Sequence, residues 1–463
     1  MSSPFDIVDD KFELKGEWWL PKNPEQKLFG VLNYSQGTGT LELQGLFNEV
    51  SKNFFTPFAP EIILGNVPGL RGVTLTNCYM IHASNTICKF ITHLIFTNYS
   101  GSNLSEINFK KTFVNFLYLQ QWVRVSDIDI KFSGEGDLLN LKVKQTEPIV
   151  ASISNNLDIS IISTHNTSNL AETYSDFTIK QKKFFRIESK DALSFKELKK
   201  TILTLQNFVG FALDEPSHHI QIIGYPDGDN SGINYRENAV GIFFDSITST
   251  LTPERESIRD GKILFYYKTI SENFEEVLKN WFRIVEDYEP TMRSISAMRN
   301  NPHMYLEEKF SYSAQALESY HSQNPKYENK QMDQQEYGRR IQVILESIND
   351  TVIQSWLKTK LSGSHANNKS FLERITEIIK DCPTFMNEPS DEKITDFAKQ
   401  FRNMRNNLIH PGTKGVDYVD ELLELVHRTK ILVESLILSE LNFKSNLIQN
   451  IVKNRKRWYR IET

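Results

Sequence analysis

Cysteine is scarce in this sequence, and it has no long apolar segment. The 463 residues include three cysteines, Cys78, Cys88 and Cys382, whose number and spacing fit neither a zinc site nor a disulfide framework. No stretch approaches about 18 uninterrupted apolar residues, and residues 1–10 contain no apolar signal segment. We therefore expect a cytoplasmic protein that is neither exported nor inserted into a membrane.

The sequence also lacks the motifs and the charge of several nucleotide-binding classes. The glycine patterns of P-loop NTPases and of dinucleotide-binding folds are missing, which counts against an NTPase or an oxidoreductase. A formal net charge of −5 argues against a protein that coats nucleic acid, although it leaves room for a local basic cleft. We predict no metal and no other cofactor.

Short strand patterns dominate the N-terminal part of the chain. Apolar and polar residues alternate at residues 40–44, directly after a glycine-containing turn. Aromatic and β-branched runs predict further strands at residues 61–64, 72–76, 90–97, 115–123, 128–132 and 159–163. Because little helix separates them, we predict an antiparallel sandwich or barrel-like domain over residues 1–187. We interpret Trp18, Trp19 and Trp122 as core residues rather than as platforms for base stacking.

Helical patterns replace strand patterns towards the C-terminus. Ser194 and Glu197 predict a capping box that opens a helix over residues 194–213, and a strand follows at residues 219–225. We assign residues 188–272 to an α/β continuation and residues 273–304 to a helical linker. A helical bundle is predicted over residues 305–463, with helices at residues 305–320, 337–356, 371–380 and 417–442. The predicted fold class is therefore α+β with several domains.

One further helix of this bundle carries the residues on which the functional hypothesis depends. Apolar residues recur every three or four positions from Ile394 to Leu408, which predicts a partly buried helix. Arg402, Arg405 and Asn406 lie together on one flank of this apolar stripe. Since Pro411 and Gly412 follow His410, we expect the helix to end there and the imidazole to turn towards the guanidinium of Arg405.

The pairing of Arg405 with His410 suits the cleavage of a phosphodiester bond. An arginine side chain offers a planar set of donors to phosphate oxygens, while a histidine can move protons near neutral pH, and neither role needs a metal. Asn406 and Arg402 would help to position the phosphate. The alternative is an ordinary helix end capped by a histidine. Glu318 and His321 are interpreted as polar surface residues.

The motif resembles the Arg-Asn-x4–6-His signature of the HEPN endoribonucleases. Arg405, Asn406 and His410 match its three defined positions. The resemblance implies RNA cleavage without metal, through attack of the 2′-hydroxyl, leaving a 2′,3′-cyclic phosphate and a 5′-hydroxyl. It also implies a homodimer or a higher homo-oligomer, formed through the HEPN domain, so that two copies of the motif line one cleft. A tyrosine two residues after the histidine, found in one toxin subgroup, is replaced by Gly412.

The N-terminal half is similar to the N-terminal domain of the ApeA family of anti-phage HEPN proteins. The resemblance rests on the Gly-x-Trp-Trp-Leu-Pro segment at residues 16–21, the strand at residues 41–45 and Val73-Thr74-Leu75. It extends to the helix at Ser194 and to the C-terminal domain. The resemblance implies an abortive-infection hydrolase that cuts cellular RNA, with tRNA as one candidate, after a phage-derived trigger. The alternative is a non-catalytic module that senses phage or holds RNA.

The C-terminal segment provides a second candidate RNA contact. Residues 444–460 contain six basic residues and no acidic one, with Trp458 and Tyr459 among them. Basic side chains can bind phosphates and aromatic rings can stack on bases, so this segment is a candidate RNA-binding tail. A solvated helix end is the alternative. The basic residues concerned are Lys453, Arg455, Lys456 and Arg457.

Overall fold

A computed structural model of the chain describes most of its residues. The described residues are 11–35, 37–51, 57–132, 139–144, 147–167, 178–226, 238–244, 258–363, 365–382, 385–386, 389–409 and 418–461. The chain forms two compact units, Met1–Phe282 and Arg283–Thr463. The division falls inside the segment predicted as a linker, while the predicted boundaries themselves stay a prediction.

The first unit is built on β-strands that pair in antiparallel fashion throughout its described part. In the strands at residues 11–19, 38–44 and 87–97, buried positions alternate with more exposed ones, so one face of each of these strands packs inwards. The strands are β1 (Lys11–Trp19), β2 (Leu28–Ser35), β3 (Thr38–Gln44), β4 (Ile62–Asn66), β5 (Val73–Ala83), β6 (Ile87–Thr97), β7 (Asn108–Phe116), β8 (Ile128–Phe132), β9 (Leu139–Val143), β10 (Ile149–Ser154), β11 (Leu157–Thr167), β12 (Ile179–Ser194), β13 (His219–Tyr225) and β14 (Val240–Phe244).

Strands β1 to β6 close into a six-stranded barrel. Their order around the barrel is β6-β3-β2-β1-β4-β5, and β5 pairs back onto β6. Trp18 fills the interior, and its Nε1 donates a hydrogen bond to the carbonyl oxygen of Gly30 at 3.2 Å. A Cβ atom on Gly65 would lie 2.4 Å from the Trp18 ring, so this position needs a glycine. The prediction that Trp18 and Trp122 are core residues is confirmed, since both are fully buried.

The remaining large sheet extends from the barrel through β14, β13, β7, β12, β11 and β10. A long helix begins after Ser194, whose side chain and that of Glu197 form the predicted capping box. The strand predicted over residues 115–123 is partly wrong, because β7 ends at Phe116 and a short helix follows. Tyr118, with a left-handed backbone, separates the two. The same sheet also includes β13 and β14, which lie beyond residue 187, the predicted end of the β-rich domain.

The second unit consists of helices, which confirms the predicted α+β architecture. The helices of the whole chain are α1 (Asn48–Ser51), α2 (Leu119–Val123), α3 (Phe195–Leu213), α4 (Tyr267–Ile270), α5 (Phe274–Asp287), α6 (Glu289–Asn300), α7 (Leu306–Gln323), α8 (Gln334–Glu346), α9 (Thr351–Leu361), α10 (Phe371–Asp381), α11 (Asp391–Ile409), α12 (Tyr418–Glu440) and α13 (Ser445–Tyr459). Helix α7 packs against α6, α10, α11 and α12 and so forms the centre of the bundle.

One predicted helix of the second unit is wrong. Residues 337–356 were expected to form a single helix, but α8 ends at Glu346 and α9 begins at Thr351. The carboxylate of Asp350 accepts hydrogen bonds from the backbone N–H groups of Val352 and Ile353, which caps a new helix at this point.

Candidate functional site

Helix α11 positions the arginine on which the functional hypothesis depends. Its predicted apolar stripe is confirmed: four of the five residues are buried and Leu408 is half-buried. The buried residues are Ile394, Phe397, Phe401 and Met404. Because Phe401 and Met404 flank Arg405 on the helix and face the core, the backbone of Arg405 is firmly held at the edge of the bundle.

The guanidinium of Arg405 lies between a carboxylate and an aromatic ring. Its Nη2 donates a hydrogen bond to Glu318 Oε2 at 3.0 Å, and its central carbon lies 4.5 Å from the centre of the Phe371 ring. The Arg405 side chain remains 33% exposed. Its other nitrogen atoms have no hydrogen-bond partner within the described part of the chain. The group is thus oriented but still accessible to an anionic ligand.

The ring under Arg405 is itself fixed by packing. Phe371 is the first residue of α10, directly after a capping box formed by Ser370 and Glu373. It stacks on Phe401 with ring centres 5.6 Å apart, and Phe401 contacts Phe310 of α7 at 4.6 Å. Three helices, α7, α10 and α11, therefore determine where the guanidinium points.

Of the other predicted site residues on this segment, the structure describes Asn406 and Arg402 but not His410. Asn406 is exposed next to Arg405, and Arg402 is half-buried with its guanidinium hydrogen-bonded to Asn403 Oδ1 at 2.9 Å. His410 lies outside the described residues, as do Pro411 and Gly412. The approach of His410 to Arg405 therefore stays a prediction.

Glu318 and His321 are not the plain surface residues that we expected. Glu318 binds Arg405, as described above, while the side chain of His321 is fully buried. Its Nε2 lies 2.8 Å from Glu377 Oε2, and its ring stacks on Tyr327 at 4.6 Å. Burial lowers the pKa of His321, although the Glu377 carboxylate opposes this effect. Both residues face neighbouring helices, which sequence polarity alone does not reveal.

A second arginine that sequence reasoning missed lies beside this site. Arg374 follows Phe371 by about one turn of α10, and its Nη1 donates a hydrogen bond to Ser322 Oγ at 3.2 Å. Ser322 in turn follows Glu318 by about one turn of α7. Arg405 and Arg374 thus contact successive turns of the same helix. The i, i+4 spacing places Glu318 and Ser322 on one face of α7, but no local pattern in the sequence links that face to Arg374 or Arg405.

The candidate RNA-binding tail is a helix, and two of its four basic residues are not available to RNA. Arg455 is 1% exposed and makes a two-pronged contact with Glu434, at 2.8 and 3.0 Å. Lys456 is also buried and lines, with Lys393 and Arg428, a pocket of about 310 Å³. Burial lowers the pKa of Lys456, and Arg428 adds to this effect.

For Arg455 and Lys456 the prediction of an RNA contact is therefore wrong, because α13 packs its apolar face on the bundle and carries both side chains inwards. Lys453 and Arg457 are exposed, and for them the RNA contact stays a prediction. In the described part of the chain, helices that combine the length and the apolar character needed to span a lipid bilayer do not occur.

Two protein families match the chain. The model of ApeA N-terminal domain 1 matches residues 13–281, which is more than half of the chain, and the model of the Apea-like HEPN domain matches residues 312–447. Helices α7 to α12 fall largely within the second match, and so does Arg405 with both of its contacts. No curated protein and no solved structure matches the chain.

Proposed function

The chain belongs to the ApeA family, and we propose that it is a metal-independent endoribonuclease of the HEPN class that acts in anti-phage defence. HEPN domains are generally ribonucleases, and they commonly dimerise and bind RNA. The observation that carries the proposal is the guanidinium of Arg405, which is accessible and yet held in one orientation by Glu318 and Phe371. A rigid, partly exposed guanidinium is well suited to bind a phosphate that gains charge during the reaction.

The proposed reaction needs only groups of the RNA and of the motif. The 2′-hydroxyl attacks the adjacent phosphorus, the bond to the 5′-oxygen breaks, and a 2′,3′-cyclic phosphate and a 5′-hydroxyl result. Arg405 would stabilise the charge on the phosphate oxygens, with Arg402 and Asn406 as positioning residues. One His410 would accept the proton of the attacking hydroxyl and the His410 of a second copy would protonate the leaving oxygen.

The structure suggests a supporting role for Glu318. Without a partner, a long arginine side chain would sample several rotamers, and fixing it on binding would cost free energy. The hydrogen bond to Glu318 and the contact with Phe371 already fix the conformation of the Arg405 side chain in the free protein. RNA binding therefore does not have to order this side chain. Glu318 is therefore proposed as a positioning residue and not as a proton donor.

The proposal also covers where the protein acts, in which oligomeric state, on which RNA and after which signal. We infer that the protein acts in the cytoplasm as a homodimer and cuts cellular RNA, with tRNA as the first candidate, once a phage-derived signal releases its activity. Such cleavage would stop the infected cell before the phage multiplies.

The test is RNA cleavage by purified protein in the presence of EDTA. We expect the wild-type protein to produce cyclic-phosphate ends, and we expect Arg405→Ala and His410→Ala to reduce the cleavage rate by about 10²- to 10⁴-fold. Lys399→Ala, an exposed basic residue of the same helix, is the matched control and should retain full activity. RNA that is bound but not cut by the wild-type protein would instead favour the non-catalytic module.

A further inference from the structure

Helices α11, α12 and α13 line a pocket that has no role in the proposed RNA cleavage. Its volume is about 310 Å³. The residues that α11 contributes to it include Lys393, Phe397 and Gln400, whose spacing places them on one face of the helix. Arg405 follows Gln400 by five positions, which turns it about 140° around the helix axis. The pocket therefore lies on a different flank of α11 from the proposed catalytic arginine.

Three cationic side chains and one carboxylate line the pocket, so the charges of its lining sum to +2. The cations are Lys393, Arg428 and Lys456, and the carboxylate is Asp396. Asp396 is exposed and lies 3.8 Å from Lys399, which compensates part of its charge. Lys456 is only 7% exposed, so its charge is held largely away from bulk water. Such a lining attracts an anion.

The two less exposed cations, Arg428 and Lys456, would both gain from an anionic ligand. Burial lowers the pKa of Lys456, and the positive charge of Arg428 lowers it further, so the two cations repel each other. Arg428 Nη2 forms an ion pair with Glu424 at 2.6 Å, whereas its buried Nε has no hydrogen-bond partner among the described residues. Buried donors normally have a partner. An anion between the two side chains would reduce the repulsion and provide an acceptor for this N–H.

The rest of the lining is largely apolar. Phe385 and Phe397 contact each other with ring centres 5.1 Å apart, and both are buried, as are Ile431 and Ile461. A purely inorganic anion would leave these apolar side chains uncovered, whereas an aromatic or aliphatic group attached to the anion would remove them from water. The volume is near the lower end, roughly 300 Å³, of the range for small-molecule sites. The ligand that fits is therefore small, charged at one end and apolar at the other.

We propose that this pocket binds a small phosphate monoester whose organic part is aromatic or aliphatic. The phosphate would lie between Arg428 and Lys456, with Lys393 at the entrance, and the organic part would lie against Phe385 and Phe397. Near neutral pH a phosphate monoester carries a charge of about −1.5 to −2 and offers three acceptor oxygens, which matches the charge and the donors of the lining. An RNA strand fits less well, because a pocket of this volume holds one end group and not a chain.

The first test compares three probes by isothermal titration calorimetry of the full-length wild-type protein, namely phenyl phosphate, inorganic phosphate and phenol. We expect phenyl phosphate to bind with a Kd below about 1 mM and at least about tenfold more tightly than inorganic phosphate. Phenol should not bind at the same concentrations, because it lacks the dianion. If phenyl phosphate fails to bind up to about 10 mM, or binds no better than inorganic phosphate, the proposal is wrong.

The second test locates the binding site with variants. Lys456→Met and Arg428→Gln each remove one charge–phosphate hydrogen bond and should weaken phenyl phosphate binding by about 10- to 100-fold. Lys453→Met makes the same exchange at an exposed lysine of α13 and should bind like the wild-type protein. Equal losses at Lys453 and Lys456 would place the bound probe elsewhere. Circular dichroism and urea unfolding check that the variants fold, and the comparison of probes on the wild-type protein needs no variant.

The proposal is independent of the proposed function, since the titrations contain no RNA. Arg405→Ala should bind phenyl phosphate like the wild-type protein, because Arg405 lies on the other flank of α11. A protein that cuts RNA but does not bind phenyl phosphate refutes the pocket alone, whereas one that binds phenyl phosphate and cuts no RNA refutes the nuclease alone. If Lys456→Met weakens the binding of a short RNA while phenyl phosphate does not bind, the pocket is an RNA contact and the proposal fails.

Discussion

At the scale of single residues, the environment of Arg405 explains why this position needs arginine rather than any positive charge. The guanidinium is planar, so it can stack on Phe371 with one face and still offer donors at its edge to Glu318 and to a phosphate. A lysine ammonium has neither the flat face nor the forked edge. A lysine at this position would keep the positive charge but could not stack on Phe371 and bind Glu318 and a phosphate at the same time.

We therefore expect Arg405→Lys to lower the rate of RNA cleavage by about 10²-fold, the loss typical of removing a well-placed donor to a developing negative charge. The free energy of unfolding should change little, because the side chain is partly exposed. Single-turnover cleavage rates and urea unfolding curves provide the two measurements. Arg402→Lys, on the same helix and half-buried, is the comparison and should lose less activity. Equal losses at both positions would contradict a special role for Arg405.

At the scale of elements, α13 is an amphipathic helix that buries two of its basic residues and leaves two others exposed. Ile448, Ile451 and Val452 face the bundle, so Arg455 and Lys456 are carried inwards on the same face. Arg455 satisfies its charge with Glu434 and donates a hydrogen bond to the Tyr459 hydroxyl at 2.7 Å. A buried charge without such partners would be strongly unfavourable.

Removing one member of this buried pair should therefore destabilise the protein. We expect Arg455→Met to lower the free energy of unfolding by about 3 kcal/mol, because Glu434 would remain buried after losing its two-pronged contact with the guanidinium. Urea unfolding measures this loss. The double variant Arg455→Met/Glu434→Leu should recover much of the stability, since the uncompensated charge is then gone.

The exposed pair on the same helix provides the contrasting control. Lys453→Ala/Arg457→Ala should leave the unfolding curve unchanged. If both residues contact phosphates of single-stranded RNA, the slope of log K against log salt should become less steep by about 1.4. An unchanged slope would mean that neither side chain contacts an RNA phosphate.

At the scale of the whole molecule, two histidines with lowered pKa values link stability to pH. Burial lowers the pKa of His427 to about 4, and the neighbouring cations Lys430 and Arg455 contribute in the same direction. The pKa of His321 is also lowered by burial. In the unfolded chain a histidine has a pKa of about 6.5, so the unfolded chain binds more protons than the folded one below that pH. The free energy of unfolding should therefore fall as the pH drops from about 6.5 towards 4.

His427→Phe tests this pH dependence because phenylalanine keeps the ring that stacks on Tyr459 at 4.1 Å but cannot take up a proton. Between pH 7.5 and 5, the wild-type protein should lose on the order of 1 kcal/mol more stability than the variant, allowing for partial exposure of the ring. Urea unfolding at both pH values gives the comparison. His303→Phe, at an exposed histidine, should behave like the wild-type protein.

Sequence patterns were sufficient where a local rule decides the outcome. The capping box at Ser194, the apolar stripe of α11 and the alternation in β3 each depend on residues a few positions apart, so their structures followed from the sequence. The break between α8 and α9 was missed although Asp350 is a local capping signal, because the apolar pattern continues across it.

The sequence by itself determined the order and type of most elements and singled out Arg405, because helix periodicity and motif spacing are properties of neighbouring residues. Only the tertiary structure decided that β3 pairs with β6 to close the barrel, that Arg405 rests between Glu318 and Phe371, and that Arg455 turns inwards to Glu434. Those contacts join residues from 21 to 87 positions apart in the chain. Such pairs are brought together because whole elements pack on one another. The pattern of residues along a single element does not show which residues of another element it will contact.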